Sequence, residues 1–131
     1  METSVTFPGV AAIVPAARRY VRGILADSPR VDDAELIAAE LAANAIRHTP
    51  SGHAGGQFTV SIWSKPGWAR IEVADGSAGQ WHPLRGDTND EYGRGLAIVA
   101  ALADRLGHDL TSGGAQTVWA EITWPDDPGH G

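Results

Sequence analysis

The segment ELAANAIRHT, residues 40–49, lies in the middle of the chain and combines an apolar helix pattern with a regularly spaced polar stripe. Glu40, Asn44 and His48 are each four residues apart, and residues with this spacing lie on one face of an α-helix. Most other residues between 36 and 46 are apolar, so we expect this helix to be largely buried. Because a buried carboxylate needs a partner, an ion or water, the pattern predicts a cleft along the stripe.

The side chains of this stripe favour proton transfer and cation binding. Glu40 could accept a proton or position a nucleophile, and Asn44 offers a carbonyl oxygen to a hard cation such as Mg²⁺. Arg47 lies beside the stripe. The same residues also fit a solvent-facing stripe, in which His48 complements the helix dipole and Arg47 pairs with a surface acid. Taken alone, the helix favours the solvent-facing interpretation.

The composition predicts one globular domain and argues against several classes of function. The chain has 131 residues, of which 43% are hydrophobic and 20% charged. A net charge of -6 without a dense basic patch argues against binding to nucleic acid or to an anionic membrane. There is no cysteine, and no apolar run approaches the roughly 20 residues of a membrane span. The first residues lack the pattern of a secretion signal, which predicts a cytoplasmic protein.

Periodicity outward from the central helix predicts the remaining elements in chain order. They are a strand at 4–7, helices at 16–26 and 33–49, a hairpin of strands at 57–63 and 68–75, a long loop at 76–92, a helix at 96–106 and a strand at 116–124. This order predicts an α+β fold, a two-layer α/β sandwich with helices on one face of a mixed, mostly antiparallel sheet. We expect the domain to span residues 1–124 and residues 125–131 to form a disordered tail.

Three further motifs carry residues suited to a ligand. ADGSAG, residues 74–79, begins at a predicted strand end, where the Asp75 carboxylate could receive an exocyclic amine. GRGLAIV, residues 93–99, predicts a helix start whose free N–H groups suit phosphate oxygens. Thr117 begins the last strand, where its hydroxyl could face a pocket. Taken singly, ADGSAG is more typical of a glycine turn and Thr117 of an ordinary strand residue, whereas GRGLAIV fits a phosphate site and the start of a core helix equally well.

Taken together and in this order, the four motifs resemble those of the histidine-kinase-like (GHKL) ATPases, and most of all the bacterial anti-sigma factor serine kinase family. ELAANAIRH is similar to the N-box of that family, ADGSAG to its first glycine box and GRGLAIV to its second. Thr117 falls at the threonine of its terminal strand. The resemblance covers residues 5–124 and implies a Bergerat-type ATP-binding fold that uses ATP and Mg²⁺.

The resemblance also implies a role for each motif residue. Glu40 would be the general base that prepares a serine hydroxyl on a partner protein, and Asn44 would ligate Mg²⁺. Asp75 would bind the adenine amino group, and Thr117 would lie near the adenine edge through a water molecule. The other implied nucleotide-binding positions lie around the phosphates and a mobile lid, and they are Arg47, His48, Gly79, Gly93, Arg94, Gly95 and Leu96.

The implied partners are proteins: a sigma factor that the chain sequesters and an anti-sigma antagonist that it phosphorylates on serine. The same resemblance leaves open that the protein forms a homodimer. Two positions depart from the family pattern, since Ser77 replaces the middle glycine of the first box and Glu91 stands where kinases of the family often carry arginine. A carboxylate near a γ-phosphate is repulsive. Two alternatives therefore stay open, a protein-binding module that uses ATP without efficient transfer and a slow ATPase in which Glu40 activates water.

Overall fold

The computed structural model describes residues 1–48, 56–75, 90–110 and 116–126, which form a five-stranded antiparallel sheet and three α-helices. In chain order the elements are β1 (Glu2–Pro8), a short 3-10 helix (Ala11–Ile13), α1 (Val14–Ile24), α2 (Val31–His48), β2 (Gln57–Lys65), β3 (Trp68–Asp75), α3 (Asp90–Leu102), β4 (Arg105–Leu110) and β5 (Gln116–Thr123). The strands lie side by side in the order β1-β2-β3-β5-β4. The predicted α+β sandwich is confirmed.

The predicted hairpin of β2 and β3 forms the centre of the sheet. Alternate residues of the two strands pair across it and are buried, as in the pairs Val60–Val73 and Ile62–Ile71. Gly67 in the connecting turn has a φ of 82°, a conformation that side-chain-bearing residues rarely adopt. Because successive strand residues point to opposite faces, this alternation gives the sheet one apolar face and one polar face.

The helices cover the apolar face. α1 buries Ala17 and Val21 completely, and α2 contributes a longer set of buried residues at helical spacing. Those of α2 are Ala34, Ile37, Ala38, Leu41, Ala42 and Ala45. The prediction that the ELAANAIRHT helix is largely buried is therefore confirmed, and its burial against the sheet determines which residues of α2 remain available to a ligand.

Arg30, just before α2, connects three elements of the fold. Its guanidinium group donates to the Leu102 carbonyl at the end of α3, to the Asp33 carboxylate (3.0 Å) and to the Asp104 carboxylate (3.1 Å). Asp104 in turn accepts a hydrogen bond from the backbone N–H of Thr123 at 2.7 Å. A cation at the last carbonyls of a helix is favourable, so Arg30 holds the end of α3 beside the start of α2.

Two boundaries differ from the sequence-based prediction. The helix expected at 96–106 spans Asp90–Leu102, and the chain then forms β4, a strand that the sequence did not predict. Leu102 and Leu106 have the spacing of one helical face, which made the short strand look like a continuation of the helix. Pairing of Leu106 with Ala120 of β5 decides its conformation. Residues 90–92 of the predicted loop therefore belong to α3. The rest of that loop, residues 76–89, and most of the predicted tail lie outside the described residues.

Candidate functional site

The polar stripe of α2 lies where α3 packs against it. Glu40 is half-buried and Asn44, one turn further along α2, is 6% exposed. A Cβ atom built on Gly95 of α3 would lie 3.0 Å from Glu40 Oε1. The N-box carboxylate and the second glycine motif, which are 55 residues apart in the chain, therefore meet in the fold. This contact excludes the simple interpretation of Glu40 as a fully solvated surface acid.

Gly95 allows this approach because it has no side chain. The sequence predicted that Gly93 and Gly95 would lead into the helix and offer free N–H groups, and for Gly95 the structure corrects this prediction. α3 begins at Asp90, so Gly95 is its sixth residue, whereas only the first four N–H groups of a helix lack an intrahelical partner. Leu96 is half-buried against the hydrophobic core. The structure therefore gives Gly95 a role in close helix packing beside Glu40.

The ends of β3 and β5 lie next to each other at one edge of the apolar face. Ala74 pairs with Thr117, so that Asp75, the last residue of β3, is adjacent to Gln116, the first residue of β5. On its other side, Gln116 pairs with Leu110 of β4. The described start of the first glycine motif, Ala74 and Asp75, and the start of the terminal strand are therefore neighbours, as the resemblance implies.

Thr117 itself belongs to the other face of the sheet. Val73 and Val118 pair across β3 and β5 and pack against the core beneath the helices. One residue along the strand the side chain points the opposite way, so Thr117 shares the outer face with Trp119. The expectation that the Thr117 hydroxyl faces the pocket is thus corrected, because Gln116 is the residue at this end of β5 on the helix-facing side.

Gln116 was not among the residues singled out from the sequence. It is 2% exposed, and in the part of the chain that the structure describes neither Oε1 nor Nε2 of its side chain has a hydrogen-bond partner. A sequence signal for it existed. Along β5 the inward positions read Gln116, Val118, Ala120 and Ile122, so a polar residue occupies the first place of an otherwise apolar series.

Several predicted site residues can be placed only by their backbone. Asp75 ends β3, Arg47 and His48 lie in the last turn of α2, and Gly93 and Arg94 lie in α3. Gly79 lies outside the described residues. Their assignment to the nucleotide stays a prediction.

The described ranges set limits on metal binding and on membrane insertion. They contain no group of three or more histidine, aspartate or glutamate side chains that could hold a metal ion. Mg²⁺ typically takes only one or two protein ligands and keeps water and phosphate oxygens in its other positions. Asn44 therefore fits as a single amide ligand for Mg²⁺. Within the same ranges, none of the helices has both the length and the apolar character required to cross a membrane.

The structure has the architecture of a GHKL-type ATPase sandwich. An antiparallel sheet is covered on one face by three helices, and the central helix carries the carboxylate–amide stripe of Glu40 and Asn44. The family model of the histidine kinase-like ATPase domain matches residues 7–122, and the chain belongs to this family. No curated protein matches the chain. Membership of the family supports ATP binding. The buried amide of Gln116, which has no hydrogen-bond partner among the described residues, fits a polar ligand at the start of β5 on the helix-facing side of the sheet.

Proposed function

We propose that the protein is an ATP- and Mg²⁺-dependent serine kinase of the anti-sigma factor type. In this role it phosphorylates an anti-sigma antagonist on serine and sequesters a sigma factor. Its family supports the nucleotide, and the motif resemblance supports the two protein partners. The single observation that carries the kinase activity is the half-buried Glu40 carboxylate at the contact of α2 with Gly95, one turn from Asn44.

Glu40 suits the role of a general base because no arginine of the described ranges forms an ion pair with its carboxylate. In the described ranges the arginine ion pairs engage other acids, namely Asp32, Asp33, Glu35, Glu72, Asp104 and Glu121. In the proposed reaction the serine oxygen bonds to the γ-phosphorus, the bond from that phosphorus to the ADP oxygen breaks, and Glu40 accepts the serine proton. Such a reaction depends mainly on positioning and charge neutralisation.

The Mg²⁺ assignment is tested by measuring ATP binding with and without Mg²⁺ by calorimetry. Asn44→Ala should lose the Mg²⁺-dependent part of the affinity, because the change removes the ligand oxygen. Asn44→Asp is the matched control, since it keeps an oxygen at the same place and should retain a Mg²⁺ response. Circular dichroism checks that both variants are folded. An unchanged affinity in Asn44→Ala would remove Asn44 from the metal site.

The transfer step is tested with γ-labelled ATP, with and without a candidate antagonist. Glu40→Gln has nearly the same shape without the basic oxygen, and it should keep ATP binding while transfer falls by roughly 10²- to 10⁴-fold. Label on a serine of the antagonist supports the kinase, and release of free phosphate without a partner supports the ATPase. Near-normal transfer in Glu40→Gln would contradict the role of Glu40.

A second candidate function is an ATP-binding interaction module without efficient transfer. The start of α3 favours it, because Asp90 and Glu91 occupy the first turn of that helix. Acids are favourable at a helix N-terminus, but they also repel the phosphate groups that such a terminus would otherwise bind. ATP binding without transfer of the γ-label to a protein and without release of free phosphate would support this candidate.

A further inference from the structure

We propose that Gln116 recognises the base of the bound nucleotide through its side-chain amide. This inference rests on the proposed nucleotide binding and assigns a specificity-determining residue to the same site. Its starting point is that both Oε1 and Nε2 of Gln116 are buried and lack a hydrogen-bond partner within the described ranges. The whole residue is only 2% exposed, so solvent does not take the place of those partners.

A buried amide without hydrogen bonds destabilises a protein, because it loses its contacts with water and gains nothing in return. Such groups are rare in native structures, and each one calls for an explanation. Leucine or methionine at this position would continue the apolar series of Val118, Ala120 and Ile122. A glutamine here is therefore explained best by a bound ligand, a partner that the described part of the chain does not supply.

The position of Gln116 agrees with a ligand between the sheet and the helices. Gln116 begins β5 and lies beside Asp75 at the end of β3. It belongs to the apolar face of the sheet, the face over which α2 packs with Asn44 and Glu40. The amide is therefore on the same side of the sheet as the residues proposed for phosphate chemistry.

The chemistry of the amide identifies which part of the nucleotide it contacts. An amide needs both an acceptor for its N–H groups and a donor for its carbonyl oxygen. Ionised phosphates offer acceptors only, so they cannot satisfy Oε1. The edge of adenine presents an amino donor next to a ring-nitrogen acceptor, and glutamine pairs with such an edge through two hydrogen bonds. The two unpartnered atoms of Gln116 therefore fit the base rather than the phosphates.

The experiment compares the wild type with Gln116→Leu, which keeps the size of the side chain but removes its polar atoms. Calorimetry measures the binding of ADP, which carries the base, and of inorganic tripolyphosphate, which does not. The ADP affinity should fall by about 10- to 100-fold, the usual effect of one or two lost hydrogen bonds, and the tripolyphosphate affinity should stay unchanged. Without ligand, the melting temperature should rise by about 3–6 °C, since an unpaired buried amide is removed.

Three results would overturn the inference while leaving nucleotide binding intact. They are equal ADP affinities of the wild type and Gln116→Leu, an equal loss of ADP and tripolyphosphate binding, and a lower melting temperature of the ligand-free variant. Loss of ADP affinity in Thr117→Val, with Gln116→Leu unaffected, would move the base contact to the neighbouring residue. Gln116→Met, with a more flexible side chain, replaces the leucine variant if that one does not fold.

Failure of the proposed function itself gives a different result. A wild-type protein that binds neither ADP nor tripolyphosphate would remove the nucleotide site altogether, and the assignment of Gln116 with it.

Discussion

Replacing Gly95 by alanine separates the stability of the helix pair from the position of the Glu40 carboxylate. The new Cβ atom would lie 3.0 Å from Glu40 Oε1, where ordinary contacts begin at 3.4 Å, so the two atoms must move apart by a few tenths of an ångström. The carboxylate is the far end of a flexible side chain and moves at little energetic cost. Alanine inside a helix is more favourable than glycine by up to about 1 kcal/mol. We therefore expect Gly95→Ala to unfold at an equal or slightly higher urea concentration.

Although Gly95→Ala should not lower the stability, it should lower the rate of phosphoryl transfer. A misplacement of about 1 Å in an active site can lower the rate by 10²-fold, so a displacement of a few tenths of an ångström should lower phosphoryl transfer by roughly 10-fold. ADP affinity should stay close to that of the wild type. Urea unfolding, ADP calorimetry and single-turnover transfer of label measure the three quantities separately.

Gly23→Ala is the matched control for this prediction. Gly23 lies in α1, and a Cβ atom there would have no atom within 4 Å other than those of its chain neighbours and of its own helix backbone. It should give a similar gain in helix stability with no change in transfer. The reasoning is refuted if Gly95→Ala transfers phosphate as fast as Gly23→Ala, or if it loses more than about 2 kcal/mol of stability, which would mean that the carboxylate cannot move aside.

Two further substitutions test contacts away from the site. Gly107→Ala in β4 would place a Cβ atom 2.4 Å from Cζ2 and 2.7 Å from Cε2 of the Trp119 ring. The rigid indole cannot move aside as the Glu40 carboxylate can, so we expect the free energy of unfolding, measured with urea, to fall by about 2–3 kcal/mol. A stability equal to that of the wild type would contradict this. The backbone N–H and the hydroxyl of Thr123, followed by the charge of Arg30, lower the pKa of Asp104 from its ordinary value of 3.8. Because the folded-state pKa is the lower one, the stabilisation is complete above that ordinary value and is lost as the pH falls through the folded-state pKa. Asp104→Asn should therefore cost about 1 kcal/mol near pH 7, where partial solvent screening limits the effect, and the difference from the wild type should shrink below about pH 4. If the stability difference between Asp104→Asn and the wild type does not depend on pH, the carboxylate charge is not its cause.

Local patterns were sufficient for the parts of the fold that repeat over many residues. Seventeen residues of helical periodicity predicted the buried α2, and the strict alternation of β2 and β3 predicted the central hairpin. The ordered set of motifs led to the histidine kinase-like ATPase family, which the family match confirmed. These signals are readable because each repeats one period, either 3.6 or 2, over several turns or residue pairs.

Short elements depended on partners distant in the chain. Leu106 fits a helix by its spacing, yet it pairs with Ala120 in a strand, since hydrogen bonds to β5 outweigh a weak local preference. The contact of Glu40 with Gly95 likewise needed two helices to be placed, which no local pattern specifies.

The sequence by itself determined the class of fold and the stripe of Glu40 and Asn44 along one helix face, because both follow from the geometry of a single element. Only the tertiary structure decided that Gln116, and not Thr117, belongs to the helix-facing side at the end of β5. The physical reason is that strand side chains alternate, so the register of β5 against β3 assigns neighbouring residues to opposite faces.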